Sequence, residues 1–306
     1  MKTLLTDFPE TTHRELARIT QTIRRIADPE FILLFGRYAG AAAAGAATGY
    51  ELLVVTGADT ALRTQELLQH VEAEFPHAER TERYLFLHVL PASFVAGNLS
   101  RSLFLQTVLT EGILLYDSRR RPYFRLRDFK PAQTYRRAAD GYAAWHEQGD
   151  AYLHASQWSL SQGYTRLAAN SLYHAAMAFL RSVELVCFGY QNPHTDLKTL
   201  CVLTTRFSAE LGALFGFPDR FDRRLFQRLE SFRRNAPASQ HFVLHADAYS
   251  QTADKIARLG RISAEVCRTQ LELLDRIRRE NGIPAGRQRN ASECPAPGAA
   301  APETGE

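Results

Sequence analysis

The sequence predicts an α+β protein: a mixed α/β half at the N-terminus, then an all-helical half. Three observations carry that expectation. Apolar runs of strand length alternate with helical periodicities up to about residue 116. From about residue 132 to 282 the apolar spacing is helical throughout. Residues 284–306 are rich in Pro, Ala, Gly and Ser with few apolar anchors, and are expected to be disordered. The expected organisation is a first domain over 1–128, a helical bundle over 129–283 and a tail over 284–306. A chain of 306 residues suffices for two cores.

The elements follow in order. Leu16, Ile19, Ile23 and Ile26 recur at helical spacing and predict a helix over about 10–27, with Thr11 or Thr12 as its N-cap. Phe31–Phe35 and Tyr50–Val55 are strongly apolar runs of strand length, the second interrupted by Glu51, and predict strands. Between them lies Ala39-Gly-Ala-Ala-Ala-Ala-Gly-Ala-Ala-Thr-Gly49, a loop of small residues. A helix over Ala61–Glu74 comes next, then a strand over Arg83–Leu90 that Pro91 stops. A helical stretch over 92–110 and a strand over Gly112–Tyr116 complete this half, and Arg119-Arg-Arg-Pro-Tyr begins the linker. The second half reads as five helices, over about Ala132–Ser156, Thr165–Phe188, Asp196–Phe215, Pro218–Arg234 and Ala246–Arg279. The second of these opens after Gln162-Gly-Tyr164 and closes at Gly189.

Composition narrows the function classes. With 45% hydrophobic and 23% charged residues the chain has an ordinary globular balance. A net charge of +4 imposes no global field that demands a polyanion, although local patches still can. No apolar run is long enough to span a bilayer and the N-terminus lacks a secretory core, so a cytoplasmic protein with no membrane partner is expected. Cys187, Cys201, Cys267 and Cys294 stand far apart without metal-ligand spacing, and the expected state is reduced and buried.

Phe31-Ile-Leu-Leu-Phe-Gly-Arg-Tyr-Ala-Gly, followed by Gly49-Tyr-Glu-Leu-Leu-Val-Val55, resembles the active-site hairpin of nucleotidyltransferases of the DNA polymerase β type. Their pattern is roughly L-F-G-S-x-A-x-G…S-D-x-D-L-x-V. Here Arg37 stands where the family has a hydroxyl, and the two metal-binding Asp positions read Gly49 and Glu51. Two Mg²⁺ ions about 4 Å apart need several carboxylates, and Glu51 alone does not hold both. The third carboxylate position falls near His88, in a strand where Leu85–Leu90 offers no acid. The resemblance therefore implies a transferase fold without transfer activity, with no metal and no cofactor expected. Gly36, Arg37 and Glu51 are the vestigial nucleotide-binding residues.

The helical half resembles a HEPN domain, a bundle often fused to minimal nucleotidyltransferases. The likeness rests on the helix–Gly turn–Ala-rich helix of Ala151–Ala176 and on Gly189-Tyr-Gln-Asn-Pro-His-Thr-Asp-Leu-Lys-Thr-Leu200. Glu111-Gly-Ile-Leu-Leu-Tyr-Asp117 is also typical of such fused chains. Active members carry R-x(4–6)-H, which Arg234-Asn235-Ala-Pro-Ala-Ser-Gln-His241 fits. The resemblance implies that His241 would act on the 2′-hydroxyl proton or leaving oxygen, Arg234 would steady the phosphorane and Asn235 would orient the pair. A second alignment sets Asn235-Ala-Pro237 against the family's D-A-R-Y, with Pro237 in place of Arg. On that reading Pro237 stops the helix and the site is inactive. Val243 stands where some members carry a modifiable Tyr.

The preceding helix pairs an apolar stripe, Phe221, Leu225, Leu229 and Phe232, with Arg220, Arg224 and Arg228 on another face and Arg233 nearby. These arginines are either a solvated face or a phosphate-tracking strip for RNA or a nucleotide. A packed or exposed His88, a helix-start role for His194 and Asp196, and a packing role for His174 and Glu184 are the remaining expectations. The leading function is a degenerate nucleotidyltransferase–HEPN fusion that binds RNA or a nucleotide and dimerises through its helical half. A metal-independent endoribonuclease of defence or toxin–antitoxin type and a purely structural interaction protein are the alternatives.

Overall fold

A computed structural model describes residues 8–39, 49–57, 64–76, 84–125, 128–192, 195–216, 223–238 and 242–281. The fold is α+β, and the element order is α1 (Glu10–Ala27), β1 (Phe31–Phe35), β2 (Gly49–Thr56), α2 (Thr64–Glu74), β3 (Tyr84–Pro91), α3 (Ala92–Asn98), α4 (Leu103–Glu111) and β4 (Ile113–Asp117). It continues as α5 (Pro131–Ser161), α6 (Thr165–Val183), α7 (Leu197–Thr204), α8 (Ala209–Leu214), α9 (Arg223–Ala238) and α10 (Ala246–Glu280).

The four strands form one sheet in the order β3-β2-β1-β4. β1 is antiparallel to β2 and β4, while β2 and β3 are parallel. Every residue of β1 and β2 is buried, which explains why both read as apolar runs rather than alternating ones, with Glu51 the one acid among them. Alternation then sorts side chains between the faces. Ile32, Leu34, Tyr50, Leu52, Val54, Leu85, Leu87 and Val89 pack under α1 and α2. Phe31, Leu33, Phe35, Leu53, Val55 and Leu90 pack under α3 and α4, in a cluster that also takes Phe188, Tyr190 and Leu203 from the helical half. This cluster thus runs across both halves.

Several boundaries differ from expectation. α1 begins at Glu10 with Pro9 as its N-cap, ahead of Thr11 and Thr12. The stretch 92–110 is two helices, because Ser102 caps α4 by accepting from the Leu105 N–H at 3.0 Å. The helix expected over 196–215 breaks at a 3₁₀ turn, Thr205–Phe207, and restarts as α8 behind the Ser208 cap. α9 passes through Pro237 and ends at Ala238, so the proline does not stop the helix. α6 continues into a π turn, Glu184–Phe188, ended by Gly189 at φ 76°.

α5, α6 and α10 make the centre of the bundle, and α9 lies on α6. Cys187, Cys201 and Cys267 are free and buried, and burial pushes each thiol up. Cys294 lies outside the described residues. Among the described residues no helix is long and apolar enough to cross a membrane.

Candidate functional site: a closed ion pair and an open helix face

Glu51 stands opposite Phe35 in the β1–β2 register, and His88 stands opposite Leu53 in the β2–β3 register. Both therefore point to the sheet face that meets the helical half. Gly36, at φ 71°, opens the turn after β1. A Cβ added there would fall 1.5 Å from Glu51 Oε2. The glycine is needed twice, for its left-handed backbone and for the space that the carboxylate occupies.

Arg206 comes to this carboxylate from the 3₁₀ turn between α7 and α8. Its Nη1 lies 3.1 Å from Glu51 Oε1, with side chains 10% and 4% exposed. The guanidinium carbon sits 4.8 Å from the Phe35 ring centre, 5.3 Å from Phe104 and 5.4 Å from Phe207. This aromatic cage supports the cation while excluding water. Burial pulls the guanidinium down, and the charge of Glu51 opposes that shift.

His88 completes the buried cluster. Its ring centre lies 4.8 Å from Phe188 and 5.6 Å from Phe104, and its Nδ1 lies 3.4 Å from the Tyr190 hydroxyl. Burial, and secondarily Arg206, lower its pKa to about 3, so the ring is neutral near pH 7. Of the two states expected for His88, packed or exposed, the ring takes the packed one.

A second buried network holds this wall in place. Arg181 pairs with Glu184 and donates to the carbonyls of Asn192 (2.7 Å) and Thr195 (2.9 Å). Glu184 in turn accepts from the Asn192 N–H at 3.2 Å. Burial pushes the Glu184 carboxyl up against the opposing pull of Arg181. The clasp fixes the segment after Gly189, which carries Tyr190. Asp196 caps α7 by accepting from the Thr199 N–H at 2.8 Å, the helix-start role expected of it. His174 stacks on Tyr152 at 5.2 Å.

The α9 face is open by contrast. Leu225, Leu229 and Phe232 are buried as the apolar stripe requires. Arg224 is exposed. Arg228 turns inward, donating to the Ala248 carbonyl (3.1 Å) and Thr252 Oγ1 (3.0 Å), so its contacts anchor α9 to α10. Arg233 and Arg234 share Glu230, at 3.1 and 3.2 Å, and Arg233 also lies 5.9 Å over Tyr173. Asn235 is exposed and donates to Ser231 Oγ at 3.0 Å. Arg220, His194, Phe221 and His241 lie outside the described residues, as does the side chain of Arg37.

The structure thus joins Gly36 and Glu51 at one point and gathers Arg233, Arg234 and Asn235 on the last turns of α9. Arg206 was missed by sequence reasoning. The signal for it was Ser208, a helix-start residue inside a supposed helix, which marks a break and hence a turn that can aim a side chain. Among the described residues no group of three or more His, Cys, Asp or Glu side chains is placed to share a metal ion. No protein-family model matches the sequence, and no curated protein sequence aligns with it significantly.

Proposed function

We propose that residues 1–128 are a nucleotidyltransferase-type fold whose catalytic pocket is closed from within. Residues 129–283 are a HEPN-like bundle through which the protein binds RNA or a nucleotide, as a homodimer. The observation that carries the first part is the seat of Arg206 on Glu51. In the resembling transferases that carboxylate position serves a divalent cation; here a guanidinium already neutralises it inside an aromatic cage. A metal would have to displace a buried cation and leave it unpaired, which is costly. The work of the protein then falls to binding, and the exposed arginines of α9 favour a phosphate-bearing ligand.

The test is incubation of the purified protein with Mg²⁺, labelled ATP and total RNA. The expected result is RNA retained with salt-dependent affinity and no label transferred. Label on any acceptor, protein or RNA, overturns the reading of the first half. The exposure of neighbouring Arg234 and Asn235 favours a second reading, a metal-independent ribonuclease. It requires RNA cleavage that persists in EDTA and disappears in His241→Ala.

A further inference from the structure

Most of the large apolar side chains left exposed among the described residues gather at one end of the bundle. Trp158 (59% exposed), Tyr164 (57%) and Leu167 (52%) surround the α5–α6 turn, and Val243 lies in the connection from α9 to α10. That connection reaches the same end: Phe242 packs on Phe232, and Tyr249 at the start of α10 bonds Ser156, which also donates to the Ala168 carbonyl. The geometry of the turn is set by Gly163 at φ 77° and by the Tyr164 N–H donating to Ser159 O at 2.8 Å.

The chemistry of this turn suits unpaired bases. The Trp158 and Tyr164 rings lie 6.2 Å apart and are tilted by 48°, so they do not stack on one another. An open recess of about 490 Å³ on the Tyr164 side of the turn is lined by Gly163, Tyr164, Thr165, Arg166 and Leu167. Arg166 is exposed, and the first turn of α6 carries no acidic residue. Arg233 at Tyr173 stands about 12 Å farther along α6 by helical rise. Flat rings interleaved with cations form the combination that holds single strands.

We infer that single-stranded RNA lies across the α5–α6 turn, with successive bases against Trp158 and Tyr164 and a phosphate at Arg166. This rests on the RNA reading of the bundle. The test is anisotropy of a labelled oligouridylate of about 12 nucleotides, with its duplex and with UMP as further arms. Trp158→Ala and Tyr164→Ala should each weaken single-strand binding about 10-fold and leave duplex binding unchanged. In a Trp145→Phe background Trp158 is the only indole, and its emission should be quenched by the oligomer.

Unchanged oligomer affinity in both Ala variants, with their fold intact by circular dichroism, overturns the stacking site but leaves RNA binding standing. Failure of the parent protein to bind any oligomer removes both. A change of oligomeric state in the Ala variants, read by light scattering, assigns the patch to a second copy and overturns the inference. So does UMP binding as tightly as the oligomer, which would make the recess a mononucleotide site.

Discussion

Two arginine–glutamate arrangements in this chain obey opposite rules. Arg206 and Glu51 meet deep in the shared core, each nine-tenths buried or more, with aromatic rings around the cation. Arg233 and Arg234 meet Glu230 on the surface of α9, where their side chains are 43% and 68% exposed. In the first, water cannot replace a missing partner, so the pair matters chiefly by what breaking it leaves behind. In the second, water and salt screen each charge, and the arginines remain available to an incoming anion. The difference separates a joint from a surface: one pair ties the two halves together, the other presents charge outward.

The largest effect should come from breaking the joint on one side. Arg206→Ala leaves a buried carboxylate facing aromatic rings and should destabilise the protein by about 3–5 kcal/mol in urea unfolding. Arg206→Met combined with Glu51→Gln should recover most of that loss, because no unpaired charge remains. If the single variant costs less than about 1 kcal/mol, water reaches the pair and the contrast between the two sites fails.

Gly36→Ala comes next. Its new Cβ would coincide with the Glu51 carboxylate, at a backbone φ of 71°. Left-handed strain and overpacking together predict a loss of about 3 kcal/mol. Shortening Glu51 to Ala in the Arg206→Met background should remove the overlap and leave only the backbone part. Full additivity of the two changes would show that Gly36 serves the turn alone.

A third effect depends on pH. The folded His88 ring takes up its proton only near pH 3, against 6.5 for the ordinary side chain. Between those values the unfolded chain binds more protons, so stability is complete above pH 6.5 and falls as pH drops towards 3. By pH 5 the loss from this residue should be about 2 kcal/mol. His88→Phe, which fits among Phe35, Phe104 and Phe188, should flatten that part of the stability–pH curve. An identical slope in the variant would mean that the ring titrates in contact with water.

The joint was only half legible in the sequence. Phe31–Phe35 and Tyr50–Val55 announce buried strands by apolar run alone, and Gly36 and Glu51 follow from their places at the strand ends. Arg206 was not legible, because the break that aims it rests on a single cap, Ser208, inside an apolar spacing that otherwise continues as helix. The same blind spot joined α3 to α4 across Ser102. Periodicity reports which side chains are buried, whereas a cap reports where the chain turns; the former spans many residues and the latter one. Arg228 shows the converse limit. It falls in the i, i+4 row with Arg224, yet it bonds α10, since a long side chain can leave its row for a nearby carbonyl.

The smallest effect on folding tests the open side. Arg233→Ala and Arg234→Ala should each change stability by no more than about 0.5 kcal/mol, because one half-buried carboxylate serves both and salt already screens the exposed guanidinium groups. Each should still lower the slope of log affinity against log salt for single-stranded RNA by about 0.7, the value for one phosphate left without its cation. A stability loss above about 1 kcal/mol with an unchanged slope would make these arginines anchors of α9, like Arg228. The two pairs would then differ in burial but not in role, since a surface that holds its own helix has no charge left to offer a ligand.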